Sequence, residues 1–157
     1  MKKRGLGIVG LLAIGAALVL SGCGGNGSSS SGGGKSLTKE EFAAKANAIC
    51  ANYLLKVSAL GNTTTEAEAV KLMVDVRALY AKSIADLKKL EPPATERATV
   101  GRAVALSEQQ LGTIDQEVAA LRKRDTATVT KAVKRSKTIT KESNSVFSRL
   151  GAASCTR

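Results

Sequence analysis

Apolar residues in this 157-residue chain fall into five stretches with two different patterns. The first, Leu6 to Leu20, is continuous, uncharged and built mostly of Leu, Ile, Val, Ala and Gly. The other four repeat their apolar residues every three or four positions, the period of one helix face. A stretch of Gly and Ser, with one Asn and one Lys, separates the two patterns at residues 24–36. It offers no apolar side chain to a core. As a coil of about a dozen residues it spans roughly 20 Å.

The four periodic stretches predict four helices. Thr38 and Glu41 have the spacing of a capping box, and Leu37 is placed to staple onto Phe42. The face that follows reads Phe42, Ala46, Ile49, Tyr53, Val57 and Leu60, with Gly61 expected as the left-handed residue after the helix. A second box, Thr65 with Glu68, opens a helix whose inner face reads Val70, Met73, Tyr80, Ile84 and Leu87, widened by Leu72, Val76 and Leu79. Arg77 falls on that stripe, either as a stem packed on the core with its head turned outward or as a buried cation awaiting an anion. Pro92-Pro93 ends the segment, because proline cannot donate the next helical hydrogen bond.

The third helix is expected from about Ala94 to Arg124. It starts with a stripe of small residues, Ala94, Ala98, Gly101 and Ala105, and continues with Leu111, Ile114, Val118 and Leu121. Such a stripe suits close approach of another helix or a space between helices. The fourth helix, capped by Asp125 or Thr126, presents Val129, Ala132, Val133, Ser136, Ile139, Thr140, Ser143, Val146, Phe147 and Leu150, a face rich in Ser and Thr, before Gly151. Four helices on short connections predict an all-α domain over residues 37–157, an antiparallel up-down-up-down four-helix bundle. About 120 residues suffice for one core.

Charge separates the last helix from the rest. The chain carries 24 Lys and Arg against 13 Asp and Glu, a net charge of +11. Without Lys2, Lys3 and Arg4, 21 cations still face the same 13 acids, so the basic character belongs to the helical domain. From Arg122 to Arg157 there are ten Lys and Arg, with Asp125 and Glu142 the only acids. Lys131, Lys134, Lys137 and Lys141 recur at spacings of three and four, with Arg135 nearby, and so share one broad helix face. With Arg122, Lys123 and Arg124 they form the candidate contact surface for an anionic partner. The competing reading is a solvated face that keeps the domain soluble.

The N-terminus resembles a bacterial lipoprotein precursor. Lys2, Lys3 and Arg4 form the positive region, Leu6–Leu20 the apolar region, and Leu20-Ser21-Gly22-Cys23 resembles the lipobox. The resemblance covers the first 23 residues. It implies a signal peptide at 1–22 and a lipidated Cys23 as the first mature residue. It also implies a tether over 23–36 and a domain held at the cell membrane on the extracytoplasmic side. Two acyl chains make one such cysteine a stable anchor. The stretch Phe42–Cys50 (FAAKANAIC), the Pro-Pro break and a late cysteine are similar to small secreted or lipid-anchored helical proteins of actinobacteria. With Cys23 taken by lipid, Cys50 and Cys155 are an even pair in an oxidising compartment, and a disulfide between them is expected. The expected topology brings the end of the fourth helix beside the first, where that bridge can close.

Chemistry of other kinds finds little support. The chain has no His and no Trp, which removes the commonest general base and the commonest metal ligand. No metal or other cofactor is expected. Gly33-Gly34-Lys35-Ser36 only superficially resembles a phosphate loop, since no strand precedes it. A Ser/Lys hydrolase has no local signature here. Nucleic acid is a poor partner for a chain with 3% aromatic residues. The expectation is a non-enzymatic, membrane-anchored domain. It binds an anionic lipid, a cell-wall polymer or a protein partner through its basic face. The alternative is a small-molecule carrier with a cavity between its helices.

Overall fold

The computed structural model describes residues 36–156. Cys23, the segment 1–22 and the Gly/Ser stretch up to Lys35 lie outside the described residues. Four α-helices make up the domain: α1 (Lys39–Ser58), α2 (Glu66–Lys88), α3 (Arg97–Arg122) and α4 (Thr126–Arg149). Short 3-10 turns at Ala94–Glu96 and Ala153–Cys155 precede α3 and follow α4. No strand occurs among the described residues.

Both capping boxes form. Thr38 Oγ1 accepts from the Glu41 N–H while Glu41 reaches back to the Thr38 N–H, and Thr65 and Glu68 do the same for α2. These pairs satisfy backbone donors that the helix cannot. At α2 the carboxyl of Glu68 is held below its ordinary range, first by the backbone N–H groups of Thr64 and Thr65 and then by their hydroxyls. Leu37 packs against the cluster that contains Phe42, and its N–H donates to Glu91 O, tying the start of α1 to the α2–α3 connection.

Cross-helix pairs fix the directions. Tyr53 meets Tyr80 at 5.5 Å between ring centres, while Leu37 meets Glu91. Arg77 pairs with Asp115 and Lys88 with Glu108. Arg102 pairs with Glu142 and Gln110 with Ser136. In each set the numbers rise on one helix and fall on the next, so neighbours in sequence run antiparallel, up-down-up-down.

The fourth side of the bundle is not helix on helix along its length. The C-terminal tail folds back between α4 and α1. Leu150, Ala152 and Cys155 are buried there, and Asn47 of α1 holds the tail with both ends of its amide: Nδ2 donates to Gly151 O and Oδ1 accepts from Ser154 N–H. The Cys50–Cys155 disulfide closes the same contact, with Cα atoms 5.1 Å apart and the two cysteines 105 positions apart in sequence.

The core divides into two clusters. At the disulfide end all four helices and the tail contribute: Phe42, Ala46, Cys50, Leu87, Val100, Ala103, Leu106, Ile139, Val146, Phe147, Leu150, Ala152 and Cys155. The other cluster is Tyr53, Tyr80, Ile84, Ile114 and Val118, from α1, α2 and α3 alone. Between them lies a polar layer. Ser83, Ser107 and Thr113 donate to carbonyls of their own helices. Gln110 donates to Ser136 Oγ at 2.6 Å, and its Oε1 is buried with no protein partner.

Several expectations need correction. The third helix starts later, after a 3-10 turn, because Pro93 leads the chain into a tighter turn before α3 at Arg97. The small-residue stripe faces outward: Ala94, Ala98, Gly101 and Ala105 are all exposed, and a Cβ added at Gly101 would meet nothing within 4 Å. Larger side chains win the inner face, where Val100, Leu106, Ile114 and Val118 bury more apolar area than alanine can. Helix α1 ends at Ser58 with Ala59 as its cap, so Gly61, with φ +76°, lies one residue farther along than expected. Val133, expected inside, is 39% exposed. Of the two readings of Arg77 the buried cation falls: its head turns outward and makes a two-pronged ion pair with Asp115 at 2.9 and 3.1 Å on the surface.

Candidate anion-binding surface

Helix α4 starts on Asp125, whose carboxylate accepts from the Thr128 N–H at 3.0 Å and the Thr128 hydroxyl at 2.6 Å. These bonds hold the Asp125 carboxyl below its ordinary range, the hydroxyl contributing most. From there Ala132, Ile139, Val146 and Phe147 turn inward. At about 100° per residue, Lys134, Lys137 and Lys141 fall within about 60° of one another on the opposite side. All three are exposed, as are Lys131 and Arg135 on the adjoining edge.

The four helices differ sharply in charge. Helix α1 carries three cations and two acids, α2 four of each, and α3 three of each. Helix α4 carries six cations, Lys131, Lys134, Arg135, Lys137, Lys141 and Arg149, against Glu142 alone. That one acid is taken by Arg102 of α3. None of the six cations forms an ion pair among the described residues, whereas cations on α1, α2 and α3 do. The arc between the lysines is filled by Thr130, Thr138, Ser145 and Ser148, all exposed. The Thr130 and Thr138 hydroxyls donate back to Thr126 O and Lys134 O, leaving oxygen lone pairs outward.

Arg122, Lys123 and Arg124 stand at the α3–α4 turn, all exposed. An open cleft of about 570 Å³ lies there, lined by Thr65, Glu66, Val70, Leu121, Arg122 and Arg124 among others. The structure thus groups Lys134, Lys137 and Lys141 as one strip, sets Lys131 on its edge and places the arginine-lysine triplet at the start of α4. Arg102 was invisible to sequence reasoning. It lies 40 residues from Glu142, and only the α3–α4 crossing shows that it strips α4 of its acid.

The interior offers far less room. A pocket beside Gln110, lined by Tyr80, Ile139, Thr140, Ser143, Asn144 and Cys155, holds about 10 Å³, and a second beside Ser107 holds the same. Each is the size of about one water molecule. Asp115 is a surface residue. Glu117, two positions on, is half-buried, and burial raises its carboxyl above the ordinary value. Among the described residues no group of three or more His, Cys, Asp or Glu is arranged to hold a metal ion, and no helix is long and apolar enough to cross a membrane.

Compared with known protein families, curated proteins and solved structures, the chain matches none. Its class is therefore set by its own fold and surface: an all-helical four-helix domain, closed by one disulfide, with one cationic helix.

Proposed function

We propose that this is a lipid-anchored, extracytoplasmic bacterial protein that works by binding rather than catalysis. Its helical domain holds an anionic component of the envelope against α4. The observation that carries this reading is the charge census: six cations on α4, no ion pair to any of them among the described residues, and the one acid withdrawn by Arg102. A helix needing only solubility gains it from mixed charges, as α2 has. An unbalanced face sets up a field that draws anions and is screened by salt. The lipobox Leu20-Ser21-Gly22-Cys23 supports the location, because a tethered domain meets envelope anions at high local concentration. A carrier reading finds about 10 Å³ at the pockets beside Gln110 and Ser107 and about 40 Å³ at one between α1 and α2, too little for a metabolite, so binding is assigned to the surface.

The test is titration of the full chain in neutral detergent with polyphosphate and polyglutamate at low and near-physiological salt. Binding should weaken steeply with salt. The variant K134E/K137E/K141E should lose roughly tenfold or more in affinity. The α2 variant K71E/K82E, with the same kind of charge change on a balanced helix, should bind like the parent. Equal affinity for the parent and the α4 variant would remove the assignment.

A further inference from the structure

Two helices in this domain end in the same backbone motif with different residues. Helix α4 stops with Gly151 at φ +73°, its N–H bonded to Ser148 O and the next N–H, from Ala152, bonded to Phe147 O. Helix α3 stops the same way: the Arg124 N–H bonds to Leu121 O and the Asp125 N–H to Ala120 O. Here the left-handed position, φ +54°, holds an arginine. Glycine is the usual occupant, because any other L-residue brings its Cβ against the backbone. Arg124 is the one non-glycine residue with positive φ among the described residues. Its side chain is 84% exposed and reaches only Glu66, at 3.9 Å. Neither packing nor a close ion pair accounts for an arginine there.

The cationic surface is also narrow. Its lysines follow one helix, while α3 beside it is balanced in charge and directs Glu108 and Asp115 toward α2. Val133, 39% exposed and one turn from Lys137, is the one exposed large apolar side chain on α4, and a single valine is a poor wedge for a bilayer. Lys131 to Lys141 covers about 15 Å along the axis. A strip one helix wide, alternating ammonium and hydroxyl groups, complements a linear chain of phosphates better than a plane of headgroups.

Resting on the function proposed above, we infer that α4 is a track for a linear phosphate-bearing polymer, and that Arg124 is a contact residue at its end, kept in a conformation that glycine would hold more stably.

The experiment uses the full chain in neutral detergent and labelled long-chain polyphosphate, with three variants. R124G should raise the melting temperature by a few degrees, weaken polyphosphate binding several-fold, and lower the slope of log affinity against log salt by about one contact. R124Q, which removes the charge but keeps the strained backbone, should weaken binding similarly without gaining stability. K134E/K137E/K141E should lose binding. Phosphatidylglycerol in mixed micelles with the same detergent, supplied at the same phosphate concentration, should displace the polymer poorly. If R124G and R124Q bind like the parent while the triple variant does not, Arg124 is no contact and this inference falls while the α4 assignment stands. If the micellar phosphatidylglycerol competes as well as free polyphosphate, the polymer class is wrong. If the triple variant binds normally, the α4 assignment fails with it.

Discussion

The two ends of this bundle are built by different rules. At the disulfide end four helices and the C-terminal tail interlock, and Phe42, Val146, Phe147, Leu150 and Ala152 are nearly or fully buried. At the other end α1, α2 and α3 form a smaller cluster around Tyr53, Tyr80, Ile114 and Val118, and α4 adds no residue to it. The first half of α4 buries only Ala132, exposes Val133 and touches α3 through the Gln110–Ser136 bond. Leu54 and Leu55, near the end of α1, are 42% and 69% exposed. One end is a closed core. The other is a three-helix core with a charged helix laid against it. The lesson is a division of labour: the stretch of α4 that carries Lys131, Lys134 and Lys137 is the part least committed to packing, so its surface is free to be all cation.

Substitutions should break this contrast by different amounts. Phe147→Ala removes a ring 5% exposed in the closed core and should cost about 3–5 kcal/mol. Val133→Ala on the open half should cost little, within about 0.5 kcal/mol for an exposed site. Denaturant midpoints compare the two, and similar costs would mean that the open half packs as tightly as the closed one. Replacing both Cys50 and Cys155 by Ser should cost about 2–4 kcal/mol, because the bridge closes a loop of 105 residues. Amide exchange should then quicken at Ala46, Leu150 and Ala152 far more than at Ile114; uniform quickening would show that the ends do not differ.

The smallest effect is at Glu117. Burial raises its folded carboxyl above the unfolded value. A raised carboxyl favours folding below the unfolded value, and that contribution disappears as pH rises through the folded one. At neutral pH the charged group therefore weakens the fold slightly, and Glu117→Gln should melt at or just above the parent. The gap should close under acid, where the parent's carboxyl is neutral. A gap that stays constant with pH would assign the effect to shape rather than charge.

Local signals were legible in the sequence and crossings were not. The boxes at Thr38 and Thr65 and the cap at Asp125 could be read because donor and acceptor lie three residues apart. The cysteine pair could be read by elimination. The inner face of α3 was obscured because its middle is polar, with Ser107, Gln110 and Thr113 buried, while the alanines beside it carry too little apolar area to choose a side. The cationic strip was visible as a spacing of three and four. Its purity was not, since it depends on Arg102 drawing Glu142 away. The burial of Glu117 was not legible, because nothing within a few positions shows what packs over it. The left-handed Arg124 escaped as well: sequence rules look for glycine at such a turn.

The fold-back of the tail sets an order of assembly. Cys50 emerges with the first helix, but its partner follows 105 residues later. At about 5–20 residues per second, that leaves Cys50 without Cys155 for roughly 5–20 s while the rest of the chain is made. Through that interval Phe42, Ala46 and Cys50 have no tail to cover them, and the last core residues to arrive, Leu150 and Ala152, are the ones that seal the end. Maturation of this small domain is therefore timed by its C-terminus, and anything that shields an early thiol until then acts on yield rather than on the finished fold.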